Sequence, residues 1–270
     1  MSLPRGWYPE DKAGIEDFLH PFLNRAKENP IIGSSAVISP HAGWYFCGAL
    51  AALAISSLDP KAETIAVIGG HLGGNMPPLA ASEEAVRTPL GLMKIDRELL
   101  GEFKNLNPTE SDNYRDNTVE VLLPMVQYFF PSANLVWLRF PASISSFEYG
   151  KSLYKAAKIL NRKLVIIASA DLTHYGINYG FTPKGTGKLA LQWVKNINDR
   201  ALIDAILERD PDLVLKRANE DHSTCSAGPI LGALGFANNE KTEAKLLKYG
   251  TSADLDTGSS SFVGYAAISL

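Results

Sequence analysis

A chain of 270 residues with 46% apolar side chains has the material for one large α/β domain with a full core. Its net charge of -3 and pI of about 6.0, with no run of lysine and arginine, exclude the electrostatic footprint of a nucleic-acid-binding surface. Two cysteines, Cys47 and Cys225, exclude a disulfide-stapled secreted scaffold and fit a reducing compartment. The amino-terminal residues turn charged at Glu10 and Asp11 instead of forming a signal-peptide stretch, so the expected location is the cytoplasm. The longest helical apolar stretch, 47–58, falls short of the roughly 20 residues that cross a bilayer, and no membrane partner is expected.

In chain order, an apolar period of 3.6 predicts a helix over 15–26, followed by a strand at 35–39 that runs out into Pro40-His41-Ala42-Gly43. A small-residue helix is predicted over 47–58, where Cys47 reads as a compact hydrophobe. The strand at 64–68 ends in Gly69-Gly70-His71-Leu72-Gly73, whose glycines permit a tight turn with space for a ligand. The stretch 80–115 is the least regular of the chain and reads as an excursion over the sheet rim. Helices follow over 119–129 and 147–160, with a strand at 135–138 between them. The strand at 164–168 empties into Ala170-Asp171-Leu172-Thr173-His174. A helix over 189–207 breaks at Asp210-Pro211-Asp212, another begins after Cys225, and a last strand occupies 262–268. Several strands are apolar on both faces, so the expected architecture is α/β: one domain over 1–270 with a central, mainly parallel or mixed sheet flanked by helices.

In such a sheet the carboxyl ends of parallel strands share one rim, and groups carried there meet over a crevice although they lie far apart in sequence. His41 and His71 are therefore candidate metal ligands, each with the alternative of a helix-capping or loop-bonded histidine. Asp171 and His174 stand three residues apart, a spacing that puts both on one face of a helical turn, as a ligand or orienting carboxylate beside an imidazole or as a cap and its partner. Cys225, in a polar turn entering a helix, reads either as a thiolate ligand or nucleophile or as a structural thiol. His222 reads as a loop residue and His20 as a surface or staple residue of the first helix.

Three tempting matches fail. Asp256-Thr257-Gly258 copies the aspartic-protease string, but no second Asp-Thr-Gly or Asp-Ser-Gly supplies the partner carboxylate. Pro183-Lys184-Gly185-Thr186-Gly187-Lys188 lacks both the leading glycine and the trailing Ser or Thr of a phosphate loop. No Gly-x-Ser-x-Gly elbow occurs.

The strings Pro40-His41-Ala42-Gly43-Trp44, Gly70-His71, Ser169-Ala170-Asp171-Leu172-Thr173-His174-Tyr175, Thr224-Cys225 with Gly228-Pro229-Ile230, and Val263-Gly264-Tyr265-Ala266 resemble, in order, the motifs of the Memo-like family. The opening Gly6-Trp7-Tyr8-Pro9 is similar to that family's amino terminus, so the resemblance runs nearly end to end. It implies a fold like that of the class III extradiol ring-cleavage dioxygenases. It implies His41, His71 and Cys225 as metal ligands, with Asp171 orienting or completing the shell and His174 moving protons. The implied cofactor is a transition metal ion, Fe(II) or copper, with zinc also accommodated by thiolate and imidazole. The resemblance further implies a redox-related part in a multi-protein AmmeMemoRadiSam pathway, with radical-SAM and AMMECR1-like partner proteins and a small-molecule substrate that the residues do not name. One departure is Asn117-Thr118-Val119-Glu120, where the family usually has His-Ser before an apolar residue and Glu; Asn117 hydrogen-bonds but shuttles no proton at neutral pH. Two other functions fit the same residues: a non-haem Fe(II) dioxygenase acting on a catechol, and a peptide- or protein-binding module with a vestigial metal site.

Overall fold

The computed structural model describes residues 2–28, 33–239, 242–256 and 259–270. Its strands, in chain order, are β1 (Ala36–Ser39), β2 (Thr64–Gly69), β3 (Leu79–Ala80), β4 (Ala85–Thr88), β5 (Gly91–Lys94), β6 (Glu110–Ser111), β7 (Asn134–Arg139), β8 (Leu164–Ser169), β9 (His174–Tyr175), β10 (Lys245–Thr251) and β11 (Phe262–Ser269). Nine of them form one mixed sheet in the order β10-β11-β1-β8-β2-β7-β3-β6, with β9 added to β11, and β4 pairs with β5 in a separate hairpin. The four central strands β1, β8, β2 and β7 run parallel, whereas β11 lies antiparallel to β1 and β3 antiparallel to β7. The expected α/β architecture with a mixed sheet flanked by helices is the one observed.

Strands β1, β2, β8 and β11 are buried at every position. That explains why they lack alternation: helices cover both of their faces, and each side chain needs an apolar neighbour. The helix Trp44–Ser56 lies against β1 and β11, and the helix Ala227–Phe236 against β8, β1 and β2. The latter packs on Ser145–Ile159 so closely that a Cβ at Gly150 would fall 1.9 Å from the Gly232 carbonyl oxygen. Edge strand β10 keeps Lys245 and Lys248 exposed, charges that discourage further strand pairing.

Register is what builds the site. Ser39 of β1 pairs with Ser169 of β8, Ile68 of β2 with Ala168 of β8, and Gly69 with Arg139 of β7. The strands therefore end level, and His41, His71 and Asp171 each follow two residues beyond Ser39, Gly69 and Ser169.

Three expected elements differ. The helix over 119–129 is two short ones, Asn117–Glu120 and Leu123–Phe129, with Pro124 in the first turn of the second. The stretch 189–207 is helical throughout but passes through a π-helical turn, Val194–Asn198, between Lys188–Trp193 and Asp199–Leu207. The stretch 80–115 is more ordered than its turn residues suggest, containing the β4–β5 hairpin, the helix Arg97–Leu106 capped by Asp96, and β6 at the sheet edge. Among the described residues, no helix is long and apolar enough to cross a membrane.

Candidate metal centre at the strand rim

His41, His71 and Cys225 converge: each offers one ligand atom, and these atoms all lie within 4.8 Å of one another. Cys225 Sγ is 3.4 Å from His41 Nε2, and the two imidazole rings stand edge to face with centroids 5.1 Å apart. Ligands about 2.0–2.3 Å from one tetrahedral ion are separated from each other by about 3.3–3.8 Å, so the His41–Cys225 spacing already matches one.

Hydrogen bonds behind each ring decide which nitrogen faces the centre. His41 Nδ1 is 2.9 Å from Ser169 Oγ, and the Ser169 hydroxyl donates to the Thr118 carbonyl, which can only accept. Ser169 must therefore accept from His41 Nδ1–H, leaving Nε2 for a ligand. His71 Nδ1 lies 2.8 Å from Asp116 Oδ2, and a carboxylate likewise accepts, so His71 Nε2 also faces inward. This second layer of oriented imidazoles is the arrangement metal-binding histidines need.

Asp171 ties the loop after β8 to the loop after β1 and to the turn that carries Cys225. Its Oδ1 accepts from the His41 backbone N–H at 2.7 Å, and its Oδ2 lies 3.8 Å from His41 Nε2 and 3.7 Å from His174 Nε2. The latter distance is too long for a hydrogen bond, and His174 Nε2 is buried without a hydrogen-bond partner. The Cys225 backbone N–H points to the Asp171 carbonyl at 3.4 Å.

The electrostatics form one coupled unit. Burial disfavours charge on His41, but Asp171 and Cys225 outweigh it and hold its pKa above the ordinary imidazole value. Burial likewise pulls His71 and His174 down, but the neighbouring Asp116 and Asp171 respectively, together with Cys225, raise both to about 10. Burial pushes the Cys225 thiol up; the charge of His41 and the approach of the His174, His41 and His71 imidazoles reverse this and hold it well below its ordinary value. The thiol is thus biased toward its thiolate and the imidazoles toward their protonated forms, and a cation entering among them would displace the protons.

The glycines beside His71 act differently from their expected role. The left-handed backbone conformation falls on His71 itself, at φ 57°, which costs a non-glycine residue on the order of 1–3 kcal/mol. Gly69 and Gly70 instead permit close approach: a Cβ on Gly70 would sit 2.3 Å from Ser226 Oγ, and one on Gly69 2.3 Å from Thr118 Oγ1.

A cleft of about 490 Å³ opens beside Asp171, walled by Trp7, Phe46, Tyr179 and Tyr265 with Arg5 and Asn117 among its polar groups. Asn117 donates from Nδ2 to the His41 carbonyl at 3.0 Å and so braces the His41 loop. The wall formed by Arg5 and Trp7 is held by Glu120, whose carboxylate accepts from Ser2 and Leu3 N–H and from Tyr8 O–H.

His222 and His20 stay outside the site. His222 is exposed, closes the helix Pro211–Asp221 in a left-handed conformation and lies against Phe181; His20 is exposed on the first helix. Cys47 is buried, with its thiol bonded to the Ala42 carbonyl and pushed up by burial and by Asp171. Asp256 lines the cleft, while Thr257 and Gly258 of the protease-like string lie outside the described residues. Asp116, Arg139 and Asp199, which hold these loops from behind, went unread in sequence, since a lone charged residue beside a strand or within a helix carries no periodic signal.

A family model described as Memo-like protein matches residues 2–269. A MEMO1 family protein of Methanococcoides burtonii is 34% identical over 238 residues, covering 86% of this chain and 84% of its own length. One from Pyrococcus abyssi is 30% identical over 278 residues, covering 97% and 95%. Among solved structures, that of an uncharacterized protein from Escherichia coli K12 aligns with a TM-score of 0.53 at 15% identity, covering 87% of this chain and 99% of that one, a likeness of fold. With the family match running from residue 2 to residue 269 and relatives aligned over most of their length, the chain belongs to the Memo-like protein family.

Proposed function

We propose that this chain is a metal-binding protein in which His41, His71 and Cys225 hold a transition metal ion, Fe(II) or copper, with zinc as a further occupant, and which serves a redox-related step on a small molecule. The observation that carries this reading is the convergence of three ligand atoms within 4.8 Å, with both imidazoles tied back through Nδ1. A bound ion of this kind supplies Lewis acidity and, if redox-active, electron transfer. The protein's own groups do the rest. Asp171 orients His41 through its backbone N–H and adds negative charge beside the ligands. His174, whose Nε2 has no hydrogen-bond partner and whose ring lies against Tyr179, sits next to two residues that line the cleft, Asp171 and Tyr179, and is the group proposed to take or return a proton there. Radical-SAM and AMMECR1-like proteins are the proposed pathway partners and the cytoplasm the proposed location.

Elemental analysis of protein purified without affinity metals, followed by titration of chelator-treated protein with Fe(II), Cu(I) and Zn(II), tests the reading. Near-stoichiometric binding of one ion that is lost in His41→Ala and Cys225→Ser is the expected result. Protein that retains no metal and binds none at micromolar concentration would overturn it.

A further inference from the structure

Of the three proposed ligands, His71 is the one whose loop conformation is least favourable by itself, with a side chain one-third exposed and a left-handed backbone. Something must hold it. Arg139, the last residue of β7 and the register partner of Gly69, lies directly behind the loop and is almost wholly buried. Its Nε donates to the Gly70 carbonyl at 3.0 Å and its Nη2 to the His71 carbonyl at 3.4 Å. The same Nη2 stands 3.6 Å from Asp116 Oδ2, the oxygen that receives His71 Nδ1–H, and Nη1 reaches Asp112 Oδ1 at 3.3 Å. Asp112 is fixed in turn by the indole N–H of Trp137 at 2.9 Å.

One guanidinium thus grips the two carbonyls that define the turn and the carboxylate that aims the ring. On the opposite side Gly70 abuts Ser226, the neighbour of Cys225, so the loop is held between Arg139 and the segment carrying the thiol. The charges argue the same way: Arg139 faces two carboxylates behind the ring, and Asp116 among them is also the partner of His71 Nδ1, so the negative charge on the far side of the imidazole from the ion is held in place by the guanidinium. A lysine would keep the charge but, as a single compact donor, could not span the fork of contacts.

We propose that Arg139 is a positioning residue that presets His71 for the ion, acting through the Gly70 and His71 carbonyls and through Asp116. This rests on the metal-binding reading above. The test titrates chelator-treated wild type, Arg139→Lys and Asp116→Asn with Zn(II) against a competing chelating dye, and records the visible spectrum of each with Co(II), which reports ligand number and geometry. Both variants are expected to bind Zn(II) about 10–100-fold more weakly, with an altered Co(II) spectrum, while circular dichroism shows the ion-free fold retained. A folded Arg139→Lys protein that binds Zn(II) within about threefold of wild type, with an unchanged Co(II) spectrum, would overturn the inference alone. If Arg139→Lys does not fold, Asp116→Asn decides: unchanged affinity and spectrum overturn the proposed link, and weakened binding supports it. Wild type that binds neither ion would overturn the metal-binding reading and this inference with it.

Discussion

Ser169 shows how one hydroxyl can decide the chemistry of a histidine 128 positions away. Because its proton is committed to the Thr118 carbonyl, it can only accept from His41 Nδ1, which leaves Nε2 facing Cys225. Ser169→Ala removes that acceptor and leaves a buried N–H and a buried carbonyl unpaired. The expected loss is about 1–3 kcal/mol in stability and about 10–100-fold in metal affinity, read by denaturant titration and chelator competition. Proton competition gives a second expectation. His71 and His174 in the ion-free chain titrate at about 10, and a metal must displace the proton from any imidazole nitrogen it binds. Apparent affinity should therefore rise from pH 6.5 to 8.5, by up to tenfold per pH unit for each proton released. An affinity flat over that range would show that the imidazoles bind no ion through their inward nitrogens.

The strands β1, β2, β7, β8 and β11 were legible in sequence because burial on both faces leaves continuous β-branched runs, and the ligands at their tips were legible because each follows such a run. What could not be read was the π-helical turn Val194–Asn198, since its one extra residue leaves the apolar pattern of a continuous helix almost intact. Its effect is local and consequential. It delivers Asn198 and Asp199 inward, where Asn198 Nδ2 donates to Thr173 Oγ1 at 2.9 Å and Asp199 accepts from the Thr173 N–H at 3.1 Å and the Tyr249 hydroxyl at 2.7 Å. Thr173 lies between Asp171 and His174, so this turn underpins the loop that carries both. Gly264 is required there because a Cβ would fall 2.0 Å from Asp199 Oδ2. Burial raises the Asp199 carboxyl to about 6, above its unfolded value, despite hydrogen bonds from Thr173 and Tyr249. The sign follows: the folded state binds the proton more tightly, so Asp199's contribution is fully present below about pH 4 and is lost as pH rises to about 6. The loss is about 3 kcal/mol at neutral pH for a shift of this size. Asp199→Asn, which cannot ionise, should gain stability relative to wild type by roughly that amount between pH 4 and 7, measured by urea unfolding at each pH. A pH-independent difference between the two proteins would show that Asp199 stays neutral, or stays charged, throughout.

The metal centre exists only when the whole sheet does. His41 and Cys225 are 184 positions apart, and His71 comes from a third segment, so no short stretch of the unfolded chain can gather the ligand set. The rim is level only because β1, β8 and β2 pair in a register that places Ser39 opposite Ser169 and Ile68 opposite Ala168. A slip of one residue along any of these strands would turn its side chains to the other face and carry its ligand away. Ion binding must then appear almost entirely as folding free energy. At a free ion concentration a hundredfold above Kd the gain is about 2.7 kcal/mol. For a chain of this size that corresponds to about 5 °C in Tm. Zn(II) added to chelator-treated protein should raise Tm by this amount, EDTA should reverse it, and Cys225→Ser should abolish the shift while leaving the ion-free Tm close to that of wild type. If Zn(II) raised the Tm of the Cys225→Ser protein as much as that of wild type, the stabilising ion would have to sit elsewhere on the molecule, and the level rim would have to be explained by packing alone.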